Sequence, residues 1–79
     1  MNKEEVINII ENTLKSGDKL PGMFDIPKIM GIRSELQSCS SIDDVLNIID
    51  NHKDLICKAF GLSEEVIAGA VEKIKALES

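Results

Sequence analysis

Residues 4–12 of this chain read EEVINIIEN, and residues 43–51 read DDVLNIIDN, 39 positions later in a chain of 79. Five of the nine positions are identical, and the other four exchange Glu for Asp or Ile for Leu. Gly22-Met23 and Gly61-Leu62 keep the same offset. After a one-residue slip, Ile29, Gly31 and Leu36 fall on Ile67, Gly69 and Ile74. An internal repeat of this kind constrains the fold more than any other feature of the chain. One helix-loop-helix unit cannot bury its own apolar face, so it packs against its twin. The expectation is a single all-α domain from two copies, 1–39 and 40–79, arranged as helical hairpins about a pseudo-twofold axis.

Apolar periodicity divides the chain into four or five short helices. Val6, Ile7, Ile10 and Leu14 form a stripe at helical spacing, which predicts a first helix over 3–16. Asn2 and Glu5 stand at capping-box positions, with Gly17 as the natural stop. The connector GDKLPGMFD holds Pro21-Gly22, a turn dipeptide in which Gly takes positive φ. Asp25 reads as the cap of a second helix running to about Gln37, with Ile26, Ile29, Met30, Arg33 and Leu36 on one face. Ser40 or Ser41 caps a third helix, whose stripe is Ile42, Val45, Leu46 and Ile49. The pattern weakens at Asn51-His52. Residues 53–60 are then either a short fourth helix or a continuation, ended by Gly61. Ser63 opens the last helix, on which Ile67, Ala70, Val71, Ile74 and Leu77 form a clean stripe.

Charge narrows the functional classes. The chain is a small acidic protein of net charge −5, and residues 40–79 carry eight acidic against four basic groups. That balance opposes non-specific nucleic-acid binding, which depends on clustered Lys and Arg. No apolar run approaches the roughly 18 residues that span a bilayer, so no membrane partner is expected. The amphipathic, acidic segment NKEEVINIIEN is unlike a targeting leader, and the expected location is cytoplasmic. Cys39 and Cys57 imply no disulfide framework and read as packing thiols.

The turn LPGM at 20–23 and its counterpart FGLS at 60–63 each precede a helix. They resemble the helix-hairpin-helix motif of nucleic-acid-binding proteins. In that motif a Leu-Pro-Gly turn leads to a helix whose free N–H groups hold a phosphate. The resemblance implies a phosphate-contacting role for Gly22, Lys28 and Gly61. It covers about a dozen residues per copy, and the motif's second glycine is Phe24 in one copy and Ser63 in the other. A helix-turn-helix reading of 56–74 places Glu64 and Glu65 at the start of the recognition helix, with no Arg, Asn or Gln to read base edges.

His52 is the only histidine, and no metal-ligand spacing surrounds it. Asp43, Asp44, Asp50 and Asp54 lack the order of a calcium loop and suit helix starts and solvated faces. The expectation is therefore no enzyme, no cofactor and no metal. What remains is an apolar surplus: Ile9 and Ile48, at equivalent positions of the two copies, fall toward the edges of their stripes, and Met23 and Ile32 lie off the main faces. An exposed apolar patch marks a contact surface. The function expected is a non-enzymatic interaction or regulatory module that binds a protein partner, or itself as a homodimer, through an apolar patch of Met23, Phe24, Ile32 and Ile48. The acidic second half would steer it toward basic surfaces. The second expectation is a nucleic-acid-associated protein using the turns at Gly22 and Gly61.

Overall fold

The computed structural model describes residues 1–78. Among them it contains four helices and no strand: α1 (Lys3–Lys15), α2 (Ile26–Ser38), α3 (Ile42–Phe60) and α4 (Glu64–Ala76). The expected all-α bundle is what forms, with four helices rather than five. α3 continues through Asn51-His52 because Ile49 and Ile56, seven residues apart, stay on one buried face of an unbroken helix.

Three helix starts follow from one device. The side chains of Asn2, Ser41 and Ser63 accept hydrogen bonds from the backbone N–H groups of Glu5, Asp44 and Val66 at 3.2, 3.1 and 3.3 Å. Each satisfies a donor that the first helical turn leaves without an internal partner. Two caps thus sit at equivalent positions of the sequence repeat, Asn2 and Ser41. Val6 and Val45, four residues on in each case, are both buried.

α2 departs from this rule. Asp25 occupies the cap position but its side chain makes no capping bond. The helix instead grows out of a turn in which the Gly22 carbonyl accepts from the N–H groups of both Asp25 and Ile26. Gly22 does not take the positive φ expected of it. Among the described residues only Gly61 does, at φ 67°, as the left-handed stop of α3. Gly17 follows the Ser16 cap as expected and its N–H donates to the Leu14 carbonyl at 3.2 Å, without a left-handed φ, and it also meets a second need. A Cβ at Gly17 would run into the Phe60 carbonyl oxygen. That close approach lets the Lys19 N–H donate to the same carbonyl at 3.1 Å, pinning the start of the connector to the end of α3.

The close packings are α1 on α4, α4 on α3 and α3 on α2. The core is aliphatic, and Ile74 and Val45 are its most completely enclosed side chains. The two halves are built unequally. Helices α3 and α4 are joined through residues 61–63 and pack directly, whereas residues 16–25 separate α1 from α2, and α1 packs chiefly on α4. α2 also rotates away from the expected stripe. It buries Ile32 and Leu36 against the core, with Ile29 half-buried, and leaves Ile26 and Met30 outside.

Candidate functional site

The chain packs its helices in the order α1–α4–α3–α2, and an apolar cleft of about 230 Å³ opens between the two ends of that series. Ile7, Ile10 and Leu14 of α1 form one wall, and Ile29, Ile32 and Leu36 of α2 the other. Ile49, Ile56 and Phe60 of α3 form the floor. Two polar contacts tie α1 to α2 beside it. Arg33 Nη2 lies 3.4 Å from Glu11 Oε1, and Lys3 Nζ donates to the Gln37 carbonyl at 2.7 Å. Both are solvent-exposed, and an exposed ion pair such as Arg33–Glu11 contributes only about 0–1 kcal/mol.

Next in sequence to α2 lies the most exposed apolar segment of the molecule. Leu20, Met23 and Phe24 are 87, 82 and 86% exposed. Ile26 and Met30, in the first turns of α2, are also exposed, at 48 and 63%. Scattered exposed apolar side chains are ordinary; five within eleven residues are not.

The four residues singled out from sequence have separate fates. Met23 and Phe24 are in this exposed segment. Ile32 is only 6% exposed, buried in the core at the cleft wall. Ile48 is half-buried on α3, beside Ser34, Glu35, Ser38 and Cys39. The structure therefore groups Met23 and Phe24 with Leu20, Ile26 and Met30, and does not place Ile32 and Ile48 in the same exposed segment. Leu20 carried a signal that sequence reasoning passed over: a large apolar residue in a polar connector, three positions from Met23.

The residues of the nucleic-acid reading are also dispersed in role. Gly22 and Lys28 are exposed. Gly61 is occupied with ending α3, and a Cβ there would meet the Asp18 carboxylate. The start of α4 beyond it carries Glu64 and Glu65, with Lys53 Nζ 3.8 Å from Glu64. Two carboxylates there repel a phosphate.

Elsewhere, His52 Nε2 lies 3.1 Å from Glu35 Oε2, linking α3 to α2 at the surface. Cys39 is buried, and its thiol leans on the Glu35 carbonyl at 3.3 Å. Burial, reinforced by nearby Asp44, pushes the Cys39 thiol up from its ordinary range. Burial, with Glu64 and Asp54, does the same to Cys57. Thiols shifted in that direction are poor nucleophiles at neutral pH. Among the described residues no three His, Cys, Asp or Glu side chains converge as a metal site, and no helix is long and apolar enough to cross a membrane. No known protein family, no curated protein and no solved structure matches this chain.

Proposed function

We propose that this chain is a non-enzymatic protein-interaction module, and that Leu20, Met23, Phe24, Ile26 and Met30 are its contact surface. One observation carries the reading: the largest apolar side chains of the connector and the first turns of α2 stand in solvent rather than in the core. Holding five such groups in water forgoes about 25 cal/mol for every Å² of apolar surface left uncovered. A partner that covers them recovers that energy. Met and Phe suit the task, being enriched where protein surfaces meet. Cys39 and Cys57, both unpaired thiols, fit the reducing conditions of a cytoplasmic location.

The test is a fragment-display selection against the wild-type protein and a Met23→Ser/Phe24→Ser double variant. Both side chains are exposed, so the variant keeps its fold. Fragments retained by the wild type and lost on the variant are the expected result. Equal retention by both proteins would sink the reading.

A further inference from the structure

We infer that the partner of this surface is a second copy of the same chain, in a two-fold dimer through the connector and α2. The inference rests on the interaction surface proposed above and adds the identity of what covers it.

Charge is the first argument. The molecule carries 14 acidic and nine basic side chains. Residues 17–38, which span the connector and α2, hold three of each: Asp18, Asp25 and Glu35 against Lys19, Lys28 and Arg33. The entire net charge of −5 therefore falls on the rest of the chain. A basic partner would be drawn to the acidic regions, away from the apolar segment. Two copies repel one another through those regions, and the repulsion is least when they meet on their neutral segments.

Area is the second argument. A folded monomer of 8.7 kDa has an accessible surface of about 4,700 Å² on the usual size scaling. This chain exposes 5227 Å², a surplus of about 500 Å² on that scaling. The surplus is about a tenth of the scaled value, and it marks a chain that leaves more of its surface uncovered than a monomer of its mass usually does. A domain this short, with both thiols free, also lies in the size range where oligomerisation commonly supplements the core.

Shape is the third. A two-fold interface must be self-complementary, so one copy has to offer both a projection and a recess. This chain offers both. Leu20, Met23 and Phe24 project, and the cleft between α1 and α2 is an apolar recess. Leu14 and Ile29, from the α1 end and the α2 start, are the cleft residues nearest the connector in sequence, and Phe60 at the α3 end lines the cleft with them while its carbonyl accepts from the connector's Lys19 N–H. In the dimer the Phe24 ring of each copy enters the cleft of the other, against Ile29 and the α1 wall.

The test is light scattering with sedimentation on the intact chain, from about 1 µM to about 1 mM, the range that brackets weak to moderate association. The mass should climb from 8.7 kDa toward twice that value. In Met23→Ser/Phe24→Ser the dimer dissociation constant should rise by about 30-fold or more, the effect of losing an aromatic anchor, with helical circular dichroism unchanged. A mixed-label sample should show intermolecular contacts from the Phe24 ring to the Ile7, Ile10 and Ile29 methyl groups. A wild-type chain that stays monomeric throughout overturns the inference, as does a dimer that the double variant leaves intact. A dimer without those ring-to-methyl contacts overturns the insertion into the cleft. If the chain is monomeric while displayed fragments still require Met23 and Phe24, the interaction surface stands and the second copy falls. If fragments bind the variant equally as well, both fall.

Discussion

Single residues separate sharply into those held by a contact and those held by none. Gly17 and Gly31 look alike in sequence, yet only Gly17 has a backbone pressed against it. Gly17→Ala should lower unfolding stability by about 1–3 kcal/mol through forced displacement of the Phe60 carbonyl. Gly31→Ala, with open space around its Cβ, should raise stability by as much as about 1 kcal/mol through helix propensity. Urea denaturation midpoints of the two variants check both signs. Cys39 and Cys57 give a pH dependence of defined direction. Burial raises both thiols above their ordinary value of 9.0 in the folded chain, so the folded state holds those protons more tightly than the unfolded one. Their contribution is full below that value and is lost as pH rises through the folded values. Unfolding free energy should therefore fall along the alkaline limb, and a Cys39→Ala/Cys57→Ala variant should flatten it. None of the glycine contrast was legible in the sequence, because a close approach from 43 residues away leaves no local mark.

At the scale of elements, helix starts were the most legible feature, and α2 the least. Asn2, Ser41 and Ser63 each precede an acidic first turn, and all three cap as their residue types dictate. Ser41→Ala or Ser63→Ala should each cost about 1 kcal/mol in thermal or urea unfolding. Asp25→Ala should cost less than about 0.5 kcal/mol, since its side chain makes no capping bond. α2 has apolar residues on every side: Ile26, Ile29, Met30, Ile32 and Leu36. Two stripes are compatible with that spacing, one through Ile26 and Met30 and one through Ile32. α3 selects the second, because Ile32 and Leu36 face it while Met30 faces water. Its first turn holds no acid, its last turn no base, and its close packing is against α3 alone. In native-state hydrogen exchange, α2 amides should lose protection before those of α3 and α4.

For the whole molecule, the arrangement of charge makes salt a discriminating variable. If two acidic copies meet through a neutral apolar segment, added salt screens their mutual repulsion and tightens the association. Nucleic-acid binding through Gly22, Lys28 and Gly61 would respond in the opposite sense, because displaced counterions make such complexes weaken with salt. Fluorescence anisotropy of the labelled chain across a salt series, with and without a DNA duplex, reads both signs. The expected outcome is self-association that strengthens with salt and no DNA-dependent signal.

The amino-acid sequence by itself determined the helical class, the near positions of the helix ends and an aliphatic core. Those features depend on residues within one or two turns of each other: a capping side chain, a stripe at 3.6-residue spacing, a glycine that stops a helix. It also placed Met23 off the main helical faces, where the structure leaves it exposed. The tertiary structure decided everything that depends on which face meets which. It ran α3 unbroken through Asn51-His52, turned Ile32 inward and Met30 outward, and packed α1 on α4. The cleft exists because α1 and α2, neighbours in sequence, pack on different helices. The long connector permits that separation, and burial against α4 and α3 rewards it.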